Sequence, residues 1–196
     1  MRLRRAVSLL AAAALAVATA RPTAMAGEDL PPRNQALLLL RVLAYDRNLK
    51  QRAGAAVTVA VLYKPGDRSS EAHGASLVAA FEEVSRDVVV AGLPVRVEAM
   101  PYRDAADFEA RLGAVRPALA YVDLALGRTV PDILQATRRR GVLTAAGSRS
   151  LVEAGLAIGV EAQSGRAGLI VNLKASRLEG ADLDAALLAV SDVVKD

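Results

Sequence analysis

The 196-residue chain has no cysteine, no tryptophan, a single histidine and only 3% aromatic residues. The missing cysteines exclude disulfides, thiolate zinc sites and cysteine nucleophiles. With His73 alone, a histidine-rich metal site is impossible. The formal charge of +4 suggests nucleic acid until its location is examined. Arg2, Arg4, Arg5 and Arg21 precede Gly27 and no acid does, so the rest of the chain balances 21 bases against 21 acids. A neutral chain with few aromatics offers neither a basic footprint nor a stacking platform, so no nucleic-acid partner is expected.

What is present begins with a leader. Met1–Ala26 has a basic start, an apolar run from Ala6 to Ala18, and Ala24-Met25-Ala26 as a small-x-small cleavage pattern. The run is shorter than the roughly 20 residues a spanning helix needs. The expectation is a cleavable signal peptide over 1–26, export to the periplasm, a linker over 27–33 and one domain over 34–196. That length suits a single hydrophobic core.

Along the domain, Asn34 reads as the cap of a helix reaching about Arg52, with Asp46 and Lys50 as a surface pair. Leu38, Val42, Tyr45 and Leu49 share one face, and Leu37, Leu39, Leu40 and Leu43 widen it. The β-branched or apolar runs Ala56–Tyr63, Pro94–Met100, Ala118–Leu124 and Val142–Ala146 alternate with helical patterns. Leu156–Ala162 and Gly168–Leu173 then flank a hairpin signal. Asn172 is placed to cap a short helix, and Leu183, Leu187, Val190 and Val194 have the spacing of a closing amphipathic helix. The reading is an α/β single-domain sandwich: a mostly parallel sheet, helices on both faces, and a C-terminal antiparallel hairpin at the edge.

Chemistry is sparse. No G-x-G-x-x-G follows a strand, and Lys64-Pro65-Gly66-Asp67-Arg68-Ser69-Ser70 has one glycine where a phosphate loop needs several. His73 shares the inner face of its helix with Leu77, Phe81, Val84 and Val88, and reads as a partly buried structural residue. Asp123 follows the third strand, where a receiver domain carries its phosphorylated acid. The partner acids and lysine of such a site are missing, so Asp123 is expected to bond the following loop. Catalytic residues, cofactors and metals are therefore not expected.

Two surfaces remain. The first helix has more apolar positions than one contact stripe requires, so Leu39, Leu40, Leu43 and Tyr45 are expected to border a homodimer or partner interface. Arg138, Arg139 and Arg140 form a basic cluster that either complements a helix terminus or docks an acidic partner.

The C-terminal stretch resembles the YfiR-like family of small periplasmic proteins. The resemblance is carried by Val142-Leu143-Thr144, Ala154-Gly155-Leu156-Ala157-Ile158-Gly159, Leu169-Ile170-Val171-Asn172-Leu173 with Ala175-Ser176, and Leu187-Leu188 before Val193-Val194. Asn34–Leu49 corresponds more loosely to the family's first long helix. The family's Trp-Pro after that helix and the cysteines of well-known members are absent. The resemblance implies a non-catalytic regulator that binds the outer part of an inner-membrane signalling protein, such as a diguanylate cyclase, and represses it. Asn172 matches the family motif as a structural cap. A second resemblance runs through Ala146–Gly155 and Val171–Lys174, which are similar to the C-terminal lobe of ABC-transporter solute-binding proteins. It implies a small solute-binding protein.

Overall fold

The computed structural model describes residues 30–163 and 166–194. The expected signal peptide over 1–26 lies outside them. Seven strands form one sheet: β1 (Val57–Tyr63), β2 (Val95–Pro101), β3 (Leu119–Val122), β4 (Leu143–Ala146), β5 (Ile158–Gln163), β6 (Arg166–Val171) and β7 (Asp192–Val193). Their order is β2-β1-β3-β4-β5-β6-β7, parallel except for the antiparallel β5–β6 pair. The expected α/β class with a hairpin at one edge is what the chain adopts, with the two-residue β7 laid outside the hairpin.

Strand alternation builds a core on each face of the sheet. Val57, Val59 and Val61 of β1 face α1 (Pro32–Ala44) and α3 (Arg68–Ser85), together with Leu39, Leu43, Leu77 and Phe81. Ala60 and Leu62 face the other way, toward α4 (Ala105–Val115), α5 (Val130–Arg140) and α6 (Arg149–Glu153), with Phe108, Leu112 and Ile133. The central strands β3 and β4 are buried along their whole length, as strands covered on both faces must be.

Three expectations are corrected. The first helix starts at Pro32 with Pro31 as its cap, because a proline at the first helical position has its φ already set; Asn34 lies inside. It also stops at Ala44, and a separate α2 (Leu49–Ala53) follows. The reason is Asp46, which is buried and pairs with Arg52, not with Lys50. The closing helix reduces to α8 (Ala185–Leu188), after which the chain turns extended and lays β7 beside β6.

Asp46 is the centre of a buried hub at the end of the sheet where β3 and β4 begin. Its Oδ1 accepts the backbone N–H groups of Asn48, at 3.0 Å, and Asp182, at 2.9 Å. Its Oδ2 accepts from the Arg52 guanidinium, which also donates to the carbonyls of Ala118 and Gly141 at 3.0 and 2.9 Å. Close by, Glu179 follows α7 (Leu173–Leu178) with no exposed surface, and accepts both the N–H and the hydroxyl of Thr144 at 2.8 Å. Burial raises its carboxyl to about 7, although those bonds and the charges of Arg138 and Arg52 pull it down.

Removing one partner of a buried pair strands the other charge, so D46A should lower stability in urea unfolding by about 3–5 kcal/mol. R33A, whose pair with Glu83 is largely exposed, should cost less than about 1 kcal/mol. The Glu179 carboxyl is raised above its ordinary 4.5, so its contribution to stability is full below that pH and is lost as pH rises toward 7. E179Q, which stays neutral, should flatten that fall, on the order of 3 kcal/mol between pH 5 and 8, in denaturation series across pH.

Candidate functional site

The strands β1, β3 and β4 are parallel, so their C-terminal ends emerge on one side of the molecule, opposite the hub. From β1 the chain goes to β2 on one flank, then crosses back to β3 on the other. Reversal of direction at such a point leaves a crevice beyond the strand ends. A cavity of about 650 Å³ lies there, lined by His73, Tyr121, Asp123, Gly147, Ser148 and Glu161 among others.

Each polar group on its floor has a local cause. Asp67 caps α3, its Oδ1 accepting the N–H groups of Ser69 and Ser70 at 3.2 Å. Ser70 and His73, three residues apart on α3, project from the same side of the helix toward the end of β3. There Asp123 closes the following 3-10 turn, with Oδ1 accepting from Ala125 N–H at 2.9 Å and from the Ser70 hydroxyl at 2.7 Å. Its Oδ2 lies 2.8 Å from His73 Nδ1. Burial favours the neutral acid at Asp123, but the bonds from His73, Ser70 and Ala125 together outweigh it and hold its pKa below the ordinary value. The carboxylate is therefore ionised at neutral pH, and His73 carries a proton on Nδ1. Nε2 then lies on the far side of the ring from Asp123.

Behind His73, edge-on at a centroid distance of 6.0 Å, stands Tyr121. Its hydroxyl donates to Gln35 Oε1 at 2.8 Å, and Gln35 Nε2 donates to the Leu30 carbonyl at 2.7 Å. Gly147, just beyond β4, is what allows this: a Cβ there would lie 2.7 Å from the Tyr121 hydroxyl and 3.0 Å from Gln35 Oε1.

In this cluster the carboxylate is central. Ser70 accepts the N–H of Lys64 at 2.9 Å and gives its own proton to Asp123, not to His73. A nucleophilic serine instead hands its proton to the imidazole. What the arrangement does is fix the imidazole and the rim of a polar cavity.

The residues singled out in the sequence lie elsewhere. Leu39, Leu40 and Leu43 are 0%, 2% and 0% exposed, so the expectation that they border an interface is corrected. Helix α1 is covered by the sheet on one side and α3 on another, and this absorbs the wide apolar arc. Tyr45 is exposed, at the hub end of the molecule. Arg138, Arg139 and Arg140 close α5, also at that end, because α5 runs antiparallel to the strands. Arg139 and Arg140 share Glu109, while Arg138 reaches the Gly155 carbonyl at 3.5 Å. Asn172 caps α7, accepting from Ala175 N–H at 2.9 Å. Asp123 does bond its following loop, but its pairing with Ser70 and His73 was not read from the sequence. The available signal was Ser70 and His73 three apart at the start of the first crossover helix, with an acid ending the neighbouring strand.

G147A should force the Tyr121–Gln35 pair apart and leave buried polar groups unpaired, costing about 1–3 kcal/mol in thermal unfolding. G127A, whose added methyl meets only Leu151 at 3.6 Å, should unfold like the parent.

Solved structures share the fold at low identity. A conserved domain protein from Vibrio cholerae matches at TM-score 0.59 and 16% identity over 86% of this chain and 62% of that one. The ABC domain in complex with L-Trp from Streptococcus pneumonia matches at 0.57 and 15%, over 84% and 62%. A ligand-free, open substrate-binding protein with adhesive properties from Clostridium difficile matches at 0.52 and 16%, over 76% and 57%. The chain thus spans less than two thirds of the length of each. No curated protein sequence matches it. Among the described residues, no helix is long and apolar enough to cross a membrane. The model of the YfiR/HmsC-like family (DUF4154) matches residues 39–192, and the chain belongs to that family of periplasmic regulatory proteins.

Proposed function

We propose that this protein is an exported, non-catalytic regulator that docks on the outer part of an inner-membrane signalling protein, of the diguanylate cyclase class, and represses it. The observation that carries this reading is the family match over residues 39–192. The carboxylate-centred cluster supports it, since Ser70 spends its proton on Asp123 and His73 is held as a fixed side chain. The docking surface is the hub end. Arg138, Arg139 and Arg140 have Glu109 as their one ion-paired acid among the described residues, which leaves this end of α5 positive for an acidic partner. Exposed Tyr45 lies at the same end and supplies an aromatic anchor.

In-cell crosslinking of the native protein, followed by purification from the envelope, should recover one inner-membrane signalling protein. Deleting the gene should raise the cellular cyclic dinucleotide level. R139E/R140E should reduce the crosslinked yield by about tenfold without lowering the thermal midpoint. Recovery of no membrane protein, with an unchanged dinucleotide level, would overturn the reading.

A second reading, a small solute-binding protein, is favoured by one observation: the cavity of about 650 Å³ at the strand ends, a size that suits a small organic ligand. Two of the structural neighbours are described as ligand-bound or substrate-binding proteins, which supports the same reading.

A further inference from the structure

We infer that the cavity at the ends of β1, β3 and β4 takes a small organic ammonium compound with an apolar body. The inference rests on the solute-binding reading and names its ligand class.

It follows from which hydrogen-bonding groups are already used. Several donors around the cavity floor are spent inside the protein. The N–H groups of Ser69 and Ser70 go to Asp67, those of Lys64 and Ala125 go to Ser70 and Asp123, and the Ser70 hydroxyl goes to Asp123. The Tyr121 hydroxyl donates to Gln35. An anion would find the start of α3 already capped by a carboxylate. Arg149, next in sequence to the lining residue Ser148, is ion-paired to Glu161 and Asp192.

Capacity for accepting remains. Both hydrogen bonds to Asp67 end on Oδ1, so among the described residues its Oδ2 has no donor. Among the described residues, Asp123 Oδ2 takes His73 alone. Asp67 and Asp123 give the lining two carboxylates set against one imidazole, besides Glu161, which Arg149 pairs. An ammonium group brings both the donors and the charge that such a lining lacks. The rest of the wall is apolar, with Leu30, Leu124, Leu151 and Ala162, which suits a hydrocarbon body.

The test compares three near-isosteres on the purified full chain by isothermal titration: phenethylamine, 3-phenylpropanoate and 3-phenylpropanol. The amine should bind saturably and about tenfold or more tighter than either of the others. D67N keeps a good helix cap while removing the charge, and should weaken amine binding about tenfold with an unchanged thermal midpoint. If the acid or the alcohol binds as tightly as the amine, the ligand class is wrong while solute binding stands. If none of the three binds, the cavity is not a solute site and both statements fall. Neither result depends on the crosslinking experiment, which tests the regulator separately. Amine binding that D67N leaves untouched would overturn the assignment to this cavity.

Discussion

A carboxylate with no exposed surface has to be matched within the protein, and Asp46 with its partner Arg52 engages three other stretches of chain. Its oxygens hold Asn48, Asp182 and Arg52, and through Arg52 they reach the carbonyls of Ala118 and Gly141. Burying both charges is costly, and only complete hydrogen bonding offsets it. That requirement dictates geometry. The chain must leave the helix after Ala44 so that Asp46 can turn inward, and the segment after Gly180 must return to supply the Asp182 N–H. Arg52 in turn satisfies the carbonyl preceding β3 and the one at the left-handed cap of α5. The entry to the sheet and the exit from one of its helices are thereby fixed together.

Fixing one end of the strands this way leaves a crevice at the other. At the hub end, loops are drawn inward around ionic groups. At the opposite end, the split of chain direction between β2 and β3 prevents the loops from closing over the crevice. Strand β3 is only four residues long and wholly buried, and it separates Ala118, held by Arg52, from Asp123 at the cavity. A strand so short and so enclosed is a rigid spacer. The position of Asp123, and with it that of His73, is set from the hub side as well as by its own hydrogen bonds.

Most of the sheet was legible because its strands are short β-branched runs bounded by turn residues, and the parallel order follows from the helices between them. The failures share a cause: local pattern without tertiary context. Hydrophobic spacing continues from Leu38 through Leu49, so the break at Tyr45 is invisible unless Asp46 is known to be buried. The spacing of Leu183, Leu187, Val190 and Val194 is helical, yet Val193 pairs with Val171 because β6 offers an open edge. The surplus of leucines on α1 looked like an interface because a sequence does not show that two layers cover the helix. The Ser70–His73–Asp123 cluster needed the sheet order. Ser70 and Asp123 are 53 positions apart and meet only because β1 and β3 are neighbours.

In that cluster the same three residue types that elsewhere form a catalytic trio are wired differently. Catalysis by such a trio requires a chain of proton acceptance running from hydroxyl to imidazole to carboxylate. Here the hydroxyl and the imidazole both donate to the carboxylate, so the hydroxyl is turned away from the base. The hydroxyl also accepts the Lys64 N–H, which ties it to the turn after β1. Its orientation is thus fixed from two sides, and rotating it toward His73 would break two hydrogen bonds and leave a buried carboxylate oxygen short of a donor. The energy of the network goes into holding a shape.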